Sequence, residues 1–539
     1  MDLTIAAIVP GINPESLRWP LTLAYIGLLG LIALYGVHRY WLVYLYAKHR
    51  RCNTRPARRF SQLPRITVQL PMFNEGLIGQ RVIDAVCNLD YPAEQLEIQV
   101  LDDSTDYSAG IAKERVAHWS NHGLDIHYMH RRDRTGYKAG ALNAGLDQAT
   151  GQLISIFDAD FLPPPNFLRR VVHYFTDGRV GMVQARWSHL NRQDSLLTRG
   201  QAIFLDGHFV VEHTARNRSG AWINFNGTAG IWRRSAIESA GGWQHDTLTE
   251  DVDLSYRAQL KGWNFVFLPW LTCPAELPPE INAFKSQQHR WTKGSIQTAI
   301  KLLPLLIRSE VSWRVKVEAF FHLTSPLVYL YITLLALLFY PAVFVNLQVV
   351  GDGTWLGVLV GMGLFGVGSV SAVVFYLASQ RAQGRGVWST LAQVPLLMAI
   401  GIGIALNNAV ACLEALLGHE SPFVRTPKYN RIATSDEGRQ PAAGDIEPDP
   451  NPGSGVHGWS AIQIVPIPSL RRSISVLELA MGLYMLECVR LSIQVKPTLV
   501  SLPFLCLFAF GYFYIGCTSL WAHLKACLSH RQLSTPQAL

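Results

Sequence analysis

The chain has 539 residues, 49% hydrophobic and 16% charged, with a formal net charge of +8. Soluble domains carry about a quarter charged residues, and the deficit lies at the two ends of the chain, which excludes a wholly soluble protein. Much of the positive charge flanks apolar runs, as the cytosolic edge of a membrane protein requires, so no nucleic-acid partner is inferred from it.

A membrane-spanning helix needs about 20 mostly apolar residues. The first candidate, Leu21–Tyr46, is too long for the core of a signal peptide and is read as a span. Lys48, Arg50, Arg51, Arg55, Arg58 and Arg59 follow it, which places the middle of the chain in the cytosol. From about residue 61 to residue 294, short apolar strands alternate with helix-like stretches, as in βαβ units. The strands ITVQLPMF, IQVLDD and LISIFDAD each end in polar residues. Ligands of open α/β sheets bind at the carboxyl ends of strands, so Asn74–Glu75, Asp102–Asp103 and Asp158–Asp160 are expected around one crevice.

Several motifs there suit a single chemistry. Asp158 and Asp160, one residue apart, can approach a hard divalent cation whose other ligands are phosphate oxygens and water. Asp102 and Asp103 can accept hydrogen bonds from a nucleoside. Lys138 stands among small residues at an expected helix start, where a point charge and free N–H groups suit a diphosphate. Asp251, in Thr249-Glu250-Asp251, can deprotonate an attacking hydroxyl. In Gln287-Gln-His-Arg290-Trp291, the Arg can neutralise a departing diphosphate and the Trp can stack on a sugar. Each motif alone has a plain structural alternative: a solvated strand end, an Asp/Ser turn, a capping box, or an interfacial anchor.

Beyond residue 294, Ile296–Ile307 reads as an amphipathic interface helix. Ala319–Val345, Thr354–Gln380, Ser475–Gln494 and Leu499–His523 read as further spans. Thr390–Leu417 is apolar first and then carries Asn407, Asn408 and Glu414. If it lies at the interface or re-enters, Arg425, Lys428, Arg431, Lys525 and Arg531 are all cytosolic, so five full spans plus interface helices are expected. Residues 433–458 are rich in Asp, Glu, Gly and Pro and read as a flexible loop. The eight Cys show neither disulfide nor zinc spacing. The expected units are 1–60 (first span and basic flank), 61–294 (catalytic domain), 295–418 (interface helix, two spans and the interfacial element), 419–472 (cytosolic loop and linker) and 473–539 (two spans and tail).

The order of these motifs, with PMFNE, GYKAGAL, FDADF, FNGTAGIWRR, TEDVDLSYRAQLKGW and QQHRW, resembles processive family 2 glycosyltransferases of the cellulose synthase superfamily. The wording is most similar to cellulose-synthase-like A and C proteins, the mannan and glucan synthases. The resemblance implies an α/β GT-A domain, with a mixed sheet and a Rossmann-like nucleotide-binding half, inserted between transmembrane helices. It implies an inverting transfer from UDP-glucose or GDP-mannose to a growing β-linked polysaccharide, with Mg²⁺ or Mn²⁺ and coupled translocation across the bilayer.

Carried over by position, Glu75, Asp102, Asp103, Lys138, Asp158 and Arg290 would bind the nucleotide sugar, and Asp158 and Asp160 the metal. Phe225, Asn226, Gly227, Thr228, Glu250, Gln287 and Trp291 would meet the acceptor, and Asp251 would be the base. Phe423-Val-Arg-Thr426-Pro-Lys428 is similar to a gating loop that closes over the nucleotide, with Arg425 where that pattern has Val. Phe161 after the DAD triplet and FNGT in place of FxCGS are departures. A non-processive lipid glucosyltransferase of the ceramide-glucosyltransferase type is the alternative reading.

Overall fold

The computed structural model describes residues 14–52, 54–349, 355–419, 428, 469–494 and 501–533. Phe423 and Thr426 of the gating-like loop lie outside the described residues, as does all but Lys428 of that segment.

The middle of the chain is built on a mixed seven-stranded sheet in the order β3-β2-β1-β4-β6-β5-β7. The strands are β1 (Ile66–Met72), β2 (Leu96–Asp102), β3 (Ile126–His130), β4 (Leu153–Ile156), β5 (Val180–His189), β6 (Gly230–Arg233) and β7 (Asn264–Ala275). β1 to β4 pair in parallel, whereas β6 runs antiparallel to both β4 and β5. The strands are covered on both faces: β1 (ITVQLPM) and β2 (LEIQVLD) alternate apolar with polar residues, yet Thr67, Gln69, Glu97 and Gln99 are buried too, and Gln69 donates to Gln99 across the pair (3.0 Å). One face packs Val68, Val82 and Phe167, and the other packs Ile154, Trp232 and Leu254. This is the GT-A arrangement the sequence led us to expect. Parallel pairing brings the carboxyl ends of β1, β2 and β4 to one edge, with Glu75, Asp103 and Asp158 around the same crevice.

Among the described residues, three helices are long and apolar enough to cross a membrane: Trp19–His49, Gly363–Ala382 and Leu502–Lys525. Two bent pairs raise the number to five: Trp313–Thr324 with Leu327–Ala342, bent by 56°, and Val387–Gly403 with Ala405–Leu416, bent by 41°. The first break falls at Ser325-Pro326, where proline removes a helical N–H, so the expected span Ala319–Val345 is interrupted there. The second is the geometry of a broken span or a re-entrant element, in the stretch whose polar second half the sequence had singled out. A Cβ on Gly403 would lie 2.4 Å from the Gly511 carbonyl, so glycines let these helices meet backbone to backbone, as membrane helices do.

The expected span Ser475–Gln494 is not among these candidates. The Ser469–Gln494 helix carries Arg471, Arg472, Glu478, Glu487 and Arg490, too many charges for an apolar window. Its Glu478 is buried and pairs with buried Lys285 at 2.8 Å. Lys285 belongs to the Ile281–Arg308 helix. That helix is continuous, so QQHRW and the apolar stretch Ile296–Ile307 are one rod crossing residue 294. The helix therefore joins the sheet domain rigidly to the apolar helices, against which Asn407 and Glu414 also turn. Asn407 donates to the Lys285 carbonyl (3.1 Å), and Glu414 accepts from His289 (3.1 Å) and Lys293 (2.8 Å).

Candidate active site

One cleft at the carboxyl edge of the sheet is lined by Glu75, Asp103, Lys138, Asp158, Asp160, Asn226, Gly227, Glu250, Asp251, Gln287, Arg290, Trp291 and Lys428. Residues from eight separate motifs of the sequence thus converge.

Two turns form one wall of the cleft. Asn74 has a left-handed φ of 54°, which Asn tolerates better than most residues. Its amide N–H donates to Ser104 Oγ (2.7 Å), and its side-chain oxygen accepts from the Thr105 N–H (2.9 Å). The turns after β1 and β2 are therefore cross-tied. Asp103 lines the cleft, with both carboxylate oxygens engaged by Arg131 (2.8 and 2.6 Å). Asp102 does not line it. It points inward, accepting from Tyr128 Oη (2.7 Å) and the Ser104 N–H (3.0 Å), and is 1% exposed. Its contacts are those of a residue shaping the turn.

The glycines around Lys138 act through packing. A Cβ on Gly140 would lie 2.1 Å from the Thr135 carbonyl, so only glycine lets the preceding loop fold onto the Tyr137–Gln148 helix. The N–H groups of Tyr137 and Gly140 donate to the carbonyls of Arg134 and Gly136, while the Lys138 ammonium lines the cleft. It bonds Asp158 Oδ1 (2.6 Å) and the Gly227 carbonyl (2.9 Å), with Glu250 at 4.0 Å. Burial opposes its charge, but Asp158 and Glu250 outweigh this and raise its pKa.

Asp160 is recessed, and burial pushes its carboxyl upward against the pull of Lys428. Lys428 Nζ sits 2.6 Å from Asp160 and 3.8 Å from Glu75. The one described residue of the gating-like segment therefore reaches the carboxylates. Among the described residues no group of three or more His, Cys, Asp or Glu is placed to hold a metal. Two carboxylates with donor phosphates and water are nonetheless a sufficient set for Mg²⁺ or Mn²⁺, and both Asp158 and Asp160 already hold a cationic amine.

Asp251 opens the Glu250–Leu260 helix. Burial first, and then the neighbouring Glu250 charge, push its pKa up to about 7, with Lys138 pulling the other way. Arg290 faces the same carboxylates, and burial draws its pKa down. Gln287, Arg290 and Trp291 share the cleft face of their helix at i, i+3 and i+4, whereas His289 and Lys293 face Glu414. The Glu250–Leu260 helix is docked on the same rod. Leu248 N–H donates to Gln297 (3.0 Å), Lys301 pairs with Asp253 (2.8 Å), and Gly294 leaves room for Thr249.

Of the FNGT segment, Asn226 and Gly227 line the cleft and Phe225 and Thr228 do not. Phe225 is fully buried against Trp232 and Trp243. Buried Thr228 accepts from the Asp158 N–H at 2.9 Å, so it positions the DAD turn. Gly227 has φ +81°, and a Cβ there would lie 3.1 Å from Asp251 Oδ2. Gly227→Ala is expected to cost about 1–2 kcal/mol in backbone strain and to crowd Asp251. Transfer should drop by roughly tenfold or more, the scale on which displaced reacting groups lose rate, as measured by turnover beside a melting curve.

The family model described as "Glycosyltransferase like family 2" matches residues 64–294. Residues 64–294 form a family 2 glycosyltransferase domain. The chain is 43% identical over 258 residues to glucomannan 4-beta-mannosyltransferase 1 of Oryza sativa subsp. japonica, covering 46% of this chain and 49% of that one. It is 43% identical over 255 residues to glucomannan 4-beta-mannosyltransferase 2 of Arabidopsis thaliana, covering 46% and 48%. The chain spans about half the length of the curated relatives it matches. A solved mannosyltransferase from Pyrobaculum calidifontis, in complex with GDP-Man and Mn²⁺, is similar at TM-score 0.48 and 20% identity, covering 74% of this chain and 100% of that one.

Within the family 2 domain, sequence reasoning overlooked Phe73, Arg134, Trp187, His189 and Glu276, all of which line the cleft. Arg134 lies over the Phe73 ring, 3.3 Å from its centroid. Only Arg134 carried a signal, standing four residues before Lys138. Trp187 and His189 lie at the carboxyl end of β5 (VGMVQARWSH), where alternation alone does not tell a core position from a cleft position.

Proposed function

We propose that the chain is an inverting, metal-dependent membrane glycosyltransferase that polymerises a β-linked glycan from a nucleotide sugar and passes the product into the bilayer. The observation that carries this reading is the position of Asp251. It is a recessed carboxylate held near neutrality, in one cleft with the DAD pair, Lys138 and the Arg290–Trp291 face. The 43% identity to glucomannan mannosyltransferases supports GDP-mannose ahead of UDP-glucose.

In the proposed reaction Trp291 and Gln287 hold the acceptor sugar with its terminal hydroxyl toward Asp251. The hydroxyl oxygen bonds to the donor's anomeric carbon from the face opposite the diphosphate, and Asp251 takes the proton. The bond from the anomeric carbon to the diphosphate oxygen breaks, and Lys138 and Arg290 receive the departing charge. A divalent cation held by Asp158 and Asp160 would supply further positive charge to the diphosphate. Asp103 and the cross-tied turns would seat the nucleoside, and Lys428 would bring the gating-like segment over it. The basic flank of the first helix supports a cytosolic catalytic domain.

Because Asp251 must be ionised to act, transfer should fall as pH drops through about 7, by roughly tenfold per unit below it. Glu250 raises that pKa, so Glu250→Gln should move the acidic limb of the rate profile to lower pH. A limb that stays in place would remove Asp251 as the titrating base.

The function itself is tested in membrane vesicles carrying the protein, given labelled GDP-mannose or UDP-glucose and Mn²⁺ or Mg²⁺. Label should accumulate in material that resists organic extraction. Label confined to the organic phase would establish the lipid glucosyltransferase alternative instead.

A further inference from the structure

Beyond the DAD, Lys138 and Asp251 group, the cleft continues along β5. Trp187 and His189 are two residues apart on that strand, so their side chains share one face, and both line the cleft. Just before them the β5–β7 register slips between Ala185 and Arg186, the kind of irregularity that re-aims side chains beside active sites. Trp187 stands 6.5 Å from Trp291, centroid to centroid, of the order of one sugar ring, and is propped by Phe161 and Phe209 at 5.1 Å each.

Both residues present an unsatisfied polar atom. Trp187 Nε1 and His189 Nε2 are buried and have no hydrogen-bond partner among the described residues. Burial draws the His189 pKa down to about 4, with Arg192 and Arg186 adding to the effect and Asp206 opposing it. The ring is therefore neutral at physiological pH. A buried donor and a buried ring nitrogen left empty cost free energy, and native structures seldom leave such groups without a partner. Aromatic faces with a few convergent polar groups are the chemistry that grips a carbohydrate: the rings cover its C–H face and the polar atoms meet its hydroxyls.

The strand is also anchored toward the apolar helices. Arg186 donates to Gln383 and Arg192 to Gln380, each at 2.9 Å, and Gln380 belongs to the Trp355–Ala382 helix. This end of the cleft therefore abuts a candidate span.

We propose that Trp187 and His189 form a second acceptor subsite, holding the sugar behind the one stacked on Trp291, with Trp187 Nε1 donating to one hydroxyl and His189 Nε2 pairing with another. The subsite rests on the glycosyltransferase reading of the cleft and makes the enzyme favour an acceptor of two sugars over one. Both are positioning residues that grip the acceptor away from the reacting atoms.

The test uses the full chain in lipid nanodiscs with GDP-mannose and Mn²⁺, comparing mannose and β-1,4-mannobiose as acceptors and measuring release of GDP to water without acceptor. Trp187→Phe and His189→Ala should each raise the KM for mannobiose about tenfold, the size of one neutral hydrogen bond. The KM for mannose and the GDP release should stay within about twofold. Equal losses with both acceptors, a parallel fall in GDP release, or no change at all would overturn the subsite and leave Trp187 and His189 as packing residues. If the unaltered protein releases no nucleotide from GDP-mannose or UDP-glucose, the glycosyltransferase reading falls and the subsite with it.

Discussion

Asp251→Asn is expected to lower sugar transfer by about two to four orders of magnitude, the range that a positioned general base contributes, while leaving the fold intact. The substitution keeps the side-chain shape and removes only the proton-accepting charge. Stability should not suffer, and the sign follows from the raised pKa. The folded state holds the Asp251 proton up to about pH 7, whereas an unfolded aspartate releases it near pH 4. Ionising Asp251 therefore destabilises the fold progressively as pH rises from about 4 to 7, and the neutral amide escapes that cost. At pH 8 the variant should melt at or above the temperature of the unaltered protein and still bind donor. Full turnover in Asp251→Asn would remove this residue as the base.

Asp160→Asn should be nearly as damaging, for a different reason. Asp158 and Asp160 are the carboxylates proposed to share a divalent cation, and each now neutralises an amine: Lys138 on Asp158 and Lys428 on Asp160, both at 2.6 Å. Removing one of two protein carboxylates weakens cation binding more than losing a supporting contact, which alone costs 10–100-fold. Transfer should drop on the order of a hundredfold or more, with a higher Mn²⁺ concentration needed for half-maximal rate. Chelation should silence the unaltered protein, and added Mn²⁺ or Mg²⁺ should restore it. Activity that survives chelation would show that Lys138 and Arg290 stabilise the leaving diphosphate without a cation.

The acidic half of the cleft was legible because its carboxylates sit at strand ends. LDD and FDAD each close an apolar run, and parallel pairing brings such ends to one edge. What the sequence did not disclose is which way each side chain turns. Asp102 and Asp103 are adjacent in the same turn, yet Tyr128 draws the first into the interior and only the second reaches the cleft. In FNGT the alternation is similar: Phe225 fills the core and Thr228 supports the DAD turn, while Asn226 and Gly227 line the cleft. Trp187 and His189 were hidden because a strand end such as QARWSH carries no motif that marks which of its side chains enter the cleft.

The membrane part was legible to the extent that composition decides it. Three long apolar helices are plain in the sequence. Ser475–Gln494 falls outside the apolar candidates because of its charges, one of which, Glu478, is paired with Lys285 far away in the chain. Hydropathy cannot register such a pairing. The same holds for Asn407 and Glu414, whose polarity serves docking onto the Ile281–Arg308 helix. The unity of that helix was also missed, since QQHRW is polar and the stretch beyond it apolar, although both ride one rod.

The central claim is that one recessed carboxylate directs an acceptor hydroxyl onto a nucleotide sugar from the face opposite its diphosphate. Its most direct test is the anomeric configuration of the polymer made from GDP-α-mannose or UDP-α-glucose, read by NMR on product from unaltered vesicles and from Asp251→Asn vesicles. The account predicts β-linked chains that an endo-β-mannanase or endo-β-glucanase shortens, and nearly none from the variant. An α-linked product, or equal polymer from both vesicles, would contradict it.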